Sequence, residues 1–302
     1  MVKVRVPATS ANLGPGFDSI GVALGLYNYV TVEETDQGLV IDVLDESSAF
    51  LAKDERNLVY RAMKAVFDKV GYSIKGLHLT LENNIKVTRG LGSSSAGIVA
   101  GLVAANYISG NQLSQEELLL MAAEIEGHAD NVTPALLGGF TVAVKQKNRV
   151  QYVKTELKDD LCFAALIPDF YLQTKKARGI LPRYVSMWDA VYNTGRSALL
   201  TASITSGKYE NIRTAVGDKL HQRYRKRLVP KMDELFRSCY QKGALGVYLS
   251  GAGPTIVAIL HRDNQRFEPE MEKLLKEEMP DWSLHILKAD NQGAILCEET
   301  ER

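Results

Sequence analysis

One run of small residues, at positions 89–97, contains the residue types that bind phosphate groups. It reads Arg-Gly-Leu-Gly-Ser-Ser-Ser-Ala-Gly and leads into an apolar stretch at 96–108 that we predict to be a buried helix. Glycines let a backbone approach a ligand closely, and the free N–H groups at the start of a helix attract anions. Serine hydroxyls can add hydrogen bonds or meet a metal ion. A purely structural interpretation, small residues that allow close helix packing, is also compatible with the run.

This run differs from two common nucleotide-binding loops. No Gly-Lys-Ser or Gly-Lys-Thr follows its glycines, as a Walker A loop would require. A dinucleotide-binding fingerprint is also excluded, because Ser95 occupies the position of the third glycine after Gly90 and Gly92. The run is therefore a candidate phosphate loop of another kind.

Two other segments have unusual composition. Residues 7–18 directly follow an alternating apolar strand and place an amide, Asn12, and a carboxylate, Asp18, on a short tether of small residues. Residues 249–255 read Leu-Ser-Gly-Ala-Gly-Pro-Thr and are typical of a turn between two strands. Each segment on its own is also compatible with an ordinary loop.

The composition limits the classes of function. The chain has 302 residues, is 45% hydrophobic, and carries 36 basic and 36 acidic side chains, so its formal net charge is zero. A balanced charge argues against nucleic acid or a membrane surface as the main partner. Its three cysteines lie far apart without a Cys-x-x-Cys pair, so we expect neither disulfides nor zinc. No signal peptide or membrane span is recognisable, and we expect a cytoplasmic protein.

Hydrophobic periodicity predicts alternating strands and helices. Predicted strands lie near residues 2–6, 20–32, 78–81, 138–144, 161–167, 244–249, 255–260 and 283–289. Predicted helices lie near residues 57–70, 96–108, 115–126, 187–205, 209–218, 230–241 and 267–278. A polar stretch at 145–160 suggests a boundary between domains at 1–155 and 156–302. The order of elements in the second half is that of a ferredoxin-like α+β domain.

Taken together, the three segments resemble the signature motifs of the GHMP kinases, a family that includes galactokinase and the homoserine, mevalonate and phosphomevalonate kinases. The resemblance covers roughly residues 2 to 290. Four stretches, at 7–18, 126–134, 177–182 and 224–230, are most similar to the family branch that phosphorylates L-homoserine in threonine biosynthesis. The resemblance implies an α+β fold of two domains, an N-terminal ATP-binding domain like domain 2 of ribosomal protein S5 and a ferredoxin-like C-terminal domain. It also implies ATP and Mg²⁺ as cofactors and a possible homodimer.

The resemblance further assigns residues to the nucleotide and the metal ion. The backbone of the phosphate loop would hold the triphosphate, and adenine would lie near Asn57. The loop residues assigned to nucleotide binding are Arg89, Gly90, Leu91, Gly92, Ser93, Ser94 and Ser95. Mg²⁺ would be held by Ser94 and Glu126, with Glu124 as the alternative acid.

A substrate with a carboxylate, an ammonium group and a hydroxyl needs complementary partners. By resemblance, Arg178 and Arg225 would bind the carboxylate of L-homoserine and Asp18 its ammonium group. Asn12 and His128 would complete the substrate site. Asp130 is a candidate base and Asn131 a candidate group for orienting the hydroxyl, although the hydroxyl proton could instead pass to a phosphate oxygen.

Two alternatives remain at this point. The chain could be another kinase of the family, such as a mevalonate kinase, because mevalonate also carries a carboxylate; the ammonium acceptor Asp18 argues against it. It could also be an inactive member that acts as a binding protein. The retention of Gly90, Gly92, Ser94 and Glu126 argues against that interpretation.

Overall fold

The computed structural model describes residues 1–297, apart from the side chains of residues 48 and 49. A first sheet of seven strands has the order β11-β1-β2-β4-β3, and β5 and β6 continue it beside β2. Its strands are β1 (Val2–Ala11), β2 (Ile20–Thr35), β3 (Gly38–Val43), β4 (Gly76–Asn83), β5 (Phe140–Lys145), β6 (Val150–Thr155) and β11 (Ile295–Cys297). β3 and β4 are parallel, and the other pairs are antiparallel.

Four helices accompany this sheet, namely α1 (Leu58–Val70), α2 (Ser93–Ile108), α3 (Gln115–Glu126) and α4 (Val132–Leu137). α2 is the central one, and most of its residues are buried because its small apolar side chains allow neighbours to pack on every side. α3 begins with the predicted capping box, in which Ser114 and Glu117 each satisfy the backbone N–H of the other. Since α2 starts at the phosphate loop and α3 ends at Glu126, their packing sets the relative position of these two features.

A second, four-stranded sheet has the order β10-β7-β9-β8, with all neighbours antiparallel. Its strands are β7 (Leu161–Pro168), β8 (Gly246–Leu249), β9 (Ile256–His261) and β10 (Trp282–Lys288). Its helices are α5 (Thr174–Gly179), α6 (Met187–Ser206), α7 (Ile212–Ala215), α8 (Gln222–Arg225), α9 (Met232–Gln241) and α10 (Phe267–Glu278). This strand order is that of a ferredoxin-like domain, as predicted.

Strands β3, β6 and β11 were not predicted from the sequence. β6 lies inside the polar stretch assigned to the domain boundary and pairs with β5 along its whole length. β11 belongs to the second half of the chain but pairs with β1. The chain therefore returns to the first sheet after completing the second. Over residues 1–297, we find no helix long and apolar enough to cross a membrane.

Candidate active site

A cavity of about 440 Å³ brings together residues from all three segments. Its wall includes the turn between β8 and β9, through Gly251 and Ala252. The cavity also collects most of the predicted site residues, which are Asn12, Asp18, Asn57, Gly90, Gly92, Ser93, Ser94, Glu126, His128, Asp130, Asn131, Arg178 and Arg225. Such a concentration of polar groups around one cavity is typical of a ligand-binding site.

Two glycines of the phosphate loop are required by its geometry. Gly90 and Gly92 have φ angles of +85° and +71°, in the left-handed region that disfavours other residues. A Cβ on Gly90 would lie 2.6 Å from the carbonyl oxygen of Ser250, and one on Gly92 would lie 1.9 Å from Oγ1 of Thr9. The loop is therefore held against β1 and the turn between β8 and β9, at the N-terminus of α2.

The turn between β8 and β9 connects the other two segments. Ser250 Oγ donates to the carbonyl oxygen of Gly90 at 2.6 Å. The backbone N–H of Gly251 donates to Ala11 at 3.0 Å, and that of Thr255 donates to Arg89 at 3.1 Å. The third segment is thus a strand-connecting turn, and it also fixes the phosphate loop relative to the end of β1.

Three residues assigned to nucleotide binding have side chains outside the cavity. Leu91 is fully buried in the hydrophobic core. Arg89 is also buried; its Nε donates to the carbonyl oxygen of Pro168 at 2.9 Å, and its guanidinium lies 3.9 Å from the centre of the Tyr171 ring. Ser95 is fully buried as well and hydrogen-bonds to Glu126. These three can meet a nucleotide only through their backbone.

The structure places the carboxylate of Glu126 at the first turn of α2. Ser94 Oγ donates to Glu126 Oε2 at 2.7 Å, and Ser95 Oγ donates to Glu126 Oε1 at 3.0 Å. The alternative acid, Glu124, is exposed and does not line the cavity. Hydroxyl and carboxylate oxygens are the ligands that Mg²⁺ prefers. No cluster of three or more His, Cys, Asp or Glu side chains suited to a metal occurs within residues 1–297.

Asp18 and Arg178 both line the cavity and are in direct contact with each other. Arg178 forms a bidentate pair with Asp18, with distances of 3.0 Å and 2.7 Å. The hydrogen bonds to Asp18 raise the pKa of Arg178, so the guanidinium of Arg178 stays protonated. Asn12 fixes Asp18 from the other side, because its Oδ1 accepts the backbone N–H of Asp18 at 2.9 Å. Asp18, which was assigned to the substrate's ammonium group, therefore pairs with Arg178, which was assigned to the substrate's carboxylate.

Arg225 is buried, and it is held by a histidine that the sequence analysis did not identify. Its Nη1 donates to the carbonyl oxygen of Gly251 at 2.9 Å and to Nδ1 of His221 at 3.1 Å. Because Nδ1 accepts from an arginine, the proton of His221 lies on Nε2, which donates to the carbonyl oxygen of Gly14 at 2.8 Å. His221 thus connects Arg225 to the substrate segment of residues 7–18.

Burial lowers the pKa of His221 to about 4, and the charge of Arg225 adds to this effect against the opposing charge of Asp218. The imidazole is therefore neutral at physiological pH, as its bridging role requires. Burial and the nearby Arg178 also lower the pKa of Arg225 to about 10, which leaves it protonated. The spacing of His221 four residues before Arg225 is the one sequence signal that relates them.

His128, Asp130 and Asn131 follow the C-terminus of α3. His128 Nδ1 lies 2.8 Å from Asp130 Oδ1, and the two side chains form an ion pair when the imidazole is protonated. Burial by itself lowers the pKa of His128. The carboxylate of the adjacent Asp130, and to a smaller extent that of Glu126, stabilises the charged imidazole more strongly, so the pKa of His128 is raised. Asn131 accepts a 2.8 Å hydrogen bond from Thr9.

Asn57 also lines the cavity. Its side chain accepts from the backbone N–H of Val59 and donates to the carbonyl oxygen of Ala52, so it caps α1. Apolar residues close to Asn57 in the chain, Phe50, Leu58 and Val59, also line the cavity. An apolar slot of this kind is suited to a flat base, and Asn57 shapes it by fixing the start of the helix.

Comparison with known proteins places this site in a family. The family described as GHMP kinases N terminal domain matches residues 57–139, and GHMP kinases C terminal matches residues 200–277. A homoserine kinase of Clostridium botulinum is 48% identical over 297 residues, 98% of each chain. The chain belongs to the GHMP kinase family. This ATP-dependent kinase thus shares its family with a Caldicellulosiruptor saccharolyticus homoserine kinase that is 49% identical over 98% of this chain and 96% of the relative.

Solved structures confirm the predicted two-domain fold. The crystal structure of homoserine kinase from Cytophaga hutchinsonii superposes with a TM-score of 0.89 and 30% identity, covering 98% of this chain and 97% of the other. A mevalonate kinase of L. major shares the fold at a TM-score of 0.72, with 17% identity over 96% of each chain. Such low identity carries no information on substrate.

Proposed function

We propose that this kinase transfers the γ-phosphoryl group of ATP to the side-chain hydroxyl of L-homoserine, giving ADP and O-phospho-L-homoserine. The observation that carries the proposal is the meeting of two arginines and Asp18 in the cavity that also contains the phosphate loop. Relatives named homoserine kinase match the chain over nearly its whole length. Phosphoryl transfer depends mainly on positioning and charge neutralisation, and the residues supply both.

The phosphate end of the site would bind the triphosphate through backbone amides of residues 90–95. The N-terminal dipole of α2 favours negative charge at this point. The oxygens of Ser94 and Glu126 fit Mg²⁺, which when bound would neutralise charge on the phosphates. The two side chains lie within hydrogen-bonding distance, so they can act on the same ion.

The substrate end matches a zwitterion. The carboxylate of homoserine would bind Arg178 and Arg225, and its ammonium group would bind Asp18. A zwitterion brings both charges at once, so it can engage the pair of Asp18 and Arg178 without leaving either of them unpaired. Mevalonate has no ammonium group, and drawing Arg178 to its carboxylate would leave Asp18 without a cation.

The acceptor hydroxyl would lie near Asp130 and Asn131. Asp130 can take the hydroxyl proton, with its charge compensated by His128, whose Nδ1 is 2.8 Å away. Asn131 would orient the hydroxyl through its amide, whose oxygen is fixed by Thr9. A transfer of the proton to a phosphate oxygen is the alternative, and substitution of Asp130 distinguishes the two.

A direct assay tests the substrate. ADP release is measured with homoserine, mevalonate, galactose and serine at equal concentrations. We expect turnover with homoserine and far less with serine, whose hydroxyl is one methylene closer to the charged groups. Turnover with mevalonate and none with homoserine would refute the proposal, and no turnover with any alcohol would support the inactive alternative.

We also propose a cytoplasmic location. All three cysteines, Cys162, Cys239 and Cys297, are free thiols. Unpaired thiols that include a fully buried one, Cys239, fit a reducing compartment. Fractionation of the cells that make the protein would test this, and recovery in a secreted fraction would contradict it.

A further inference from the structure

An aromatic side chain, Phe17, stands immediately before Asp18 in the chain. Among residues 1–297, it is included in neither of the two hydrophobic cores, nor among the half-buried apolar side chains packed against them. The ring itself is half-buried. Aromatic rings usually contribute to a fold by filling a core. The position of Phe17 outside both cores indicates another role, and basic side chains lie against its ring.

Both arginines that we assign to the substrate carboxylate lie over the ring of Phe17. The central guanidinium carbon is 5.7 Å from the ring centre for Arg178 and 5.3 Å for Arg225. Both distances fall within the range of about 6 Å over which the negative face of an aromatic ring attracts a cation. The imidazole of His221 stacks on the same ring, with 5.2 Å between the ring centres and 29° between the planes. Phe17 therefore contacts both arginines and the histidine that holds Arg225.

Arg225 is held by neutral acceptors and has one nitrogen left for a ligand. Its Nε donates to the carbonyl oxygen of Ala177 at 3.2 Å. Its Nη1 donates to the carbonyl oxygen of Gly251 and to Nδ1 of His221. In the part of the chain that the structure describes, Nη2 makes no hydrogen bond, and Arg225 lines the cavity. Nη2 is therefore the atom available to a substrate carboxylate.

The positive charge of Arg225 lacks a close carboxylate. Arg178 is paired with Asp18, whereas Arg225 forms no salt bridge within the described residues. Burial and then the repulsion by Arg178 lower the pKa of Arg225, against the more distant carboxylates of Asp18 and Asp218. A buried charge is costly unless its surroundings compensate it. The face of the Phe17 ring attracts both guanidiniums and so offsets part of their mutual repulsion.

The backbone on both sides of Phe17 is fixed. The carbonyl oxygen of Pro15 accepts hydrogen bonds from Asn193 Nδ2 at 3.2 Å and from Ser197 Oγ at 2.8 Å, and both donors lie on α6. Asp18 has a φ angle of +56°, which residues other than glycine rarely adopt. Backbone held in such a conformation is typical of functional sites. The loop thus holds the ring of Phe17 in one place against the arginines.

We propose that Phe17 is a positioning residue for the substrate carboxylate, and that its ring holds the guanidiniums of Arg178 and Arg225 where both can bind one carboxylate. This role rests on the proposed phosphorylation of L-homoserine and adds the group that sets the geometry of its carboxylate site. Within residues 1–297, the cavity wall does not include Phe17, so the ring acts through the arginines. Weakening its contacts with them therefore impairs binding of the amino acid and spares ATP binding and phosphoryl transfer.

Fluorinated phenylalanines at position 17 separate the charge distribution of the ring from its shape. Fluorine withdraws electrons, so the face of the ring attracts cations less with one, two and three fluorines, while the size of the ring changes little. We expect the KM for homoserine to rise stepwise along this series, to about 10-fold with three fluorines, the loss of one desolvated cation–π contact. The KM for ATP and kcat stay within about twofold of wild type.

Phe236 is the matched control for fluorination. Its ring is also half-buried, but it packs against the second hydrophobic core. The same three residues at position 236 leave both KM values unchanged. Phe17→Leu removes the ring and keeps an apolar side chain, and we expect it to raise the KM for homoserine about 10-fold or more. A KM for homoserine that is flat along the series at position 17, or that rises equally with the KM for ATP, would overturn the proposal.

The Nε–H signals of the two arginines give a readout that needs no substrate. In ligand-free protein carrying ¹⁵N-labelled arginine, the ring current of Phe17 displaces the signals of guanidiniums that lie over its face. Phe17→Leu therefore shifts the signals of Arg178 and Arg225, which are assigned with Arg178→Gln and Arg225→Gln. Unshifted signals would overturn the proposed role of Phe17. Shifted signals in a protein that does not phosphorylate homoserine would refute the proposed function alone.

Discussion

Replacing His221 with glutamine tests the network that holds Arg225, because the change keeps a donor and an acceptor but removes the titratable ring. The pKa of His221 lies at about 4 in the folded protein owing to its burial, against about 6.5 in an unfolded chain. Between pH 6.5 and 4, His221 is therefore protonated in the unfolded chain and neutral in the folded protein. Folding stability falls as the pH falls through this window.

The magnitude follows from the two pKa values. Since each pKa unit is worth about 1.4 kcal/mol, the change from 6.5 to about 4 amounts to about 3 kcal/mol between these pH values. Above pH 6.5 the ring is neutral in both states, and His221 contributes no pH dependence. Titrating groups far from His221 act in wild type and variant alike, so the difference between the two curves reports His221 together with its coupling to Asp218.

Urea unfolding of wild type and His221→Gln, measured from pH 7.5 to 4, gives the difference curve. We expect the two free energies of unfolding to converge as the pH falls, with the wild type losing about 3 kcal/mol more than the variant. His261→Gln, at a side chain that is 44% exposed at the end of β9, serves as the control for the loss of a histidine elsewhere in the protein. Parallel curves for wild type and His221→Gln would refute a neutral, buried His221 and the bridge from Gly14 to Arg225.

Three substitutions in the cavity probe separate roles. Arg178→Gln removes one charged partner of the substrate carboxylate. We expect the KM for homoserine to rise about 10- to 100-fold, while the KM for ATP stays within about twofold of wild type. Equal increases in the two KM values would contradict the assignment of Arg178 to the substrate carboxylate. Asp130→Asn lowers kcat by about 100-fold or more with substrate affinity kept, and an unchanged kcat would assign the proton to a phosphate oxygen. Gly92→Ala forces a Cβ against Thr9 at a positive φ angle. We therefore expect the free energy of unfolding, measured by thermal unfolding, to fall by at least about 2 kcal/mol, and ATP binding to be lost. Normal ATP affinity in this variant would exclude the loop as the triphosphate site.

Helices and strands whose ends are determined by residues close together in the chain could be predicted from the sequence. The capping box of Ser114 and Glu117 set the start of α3, and the periodicity of residues 267–278 set both ends of α10. β11 was missed because its pairing with β1 joins residues nearly 300 positions apart, which no local pattern encodes. β6 was missed because its polar side chains suit an exposed strand and a linker equally well.

In the candidate site, too, some features could be predicted from the sequence, and others depend on contacts between residues far apart in the chain. Motif resemblance was enough to select Ser94 and Glu126, and the structure places them 2.7 Å apart. The bidentate pair of Asp18 and Arg178 joins residues 160 positions apart, so its existence depends on the folded chain. His221 was overlooked because an isolated histidine carries no pattern of its own, and only the burial of Arg225 reveals its role.

The most direct test of the account is a crystal structure of the protein with a non-hydrolysable ATP analogue and L-homoserine. We expect the triphosphate on the backbone amides of residues 90–95, the amino-acid carboxylate on Arg178 and Arg225, and the side-chain hydroxyl directed at the γ-phosphate. A triphosphate bound elsewhere, with the phosphate loop making no contact to it, would contradict the central claim.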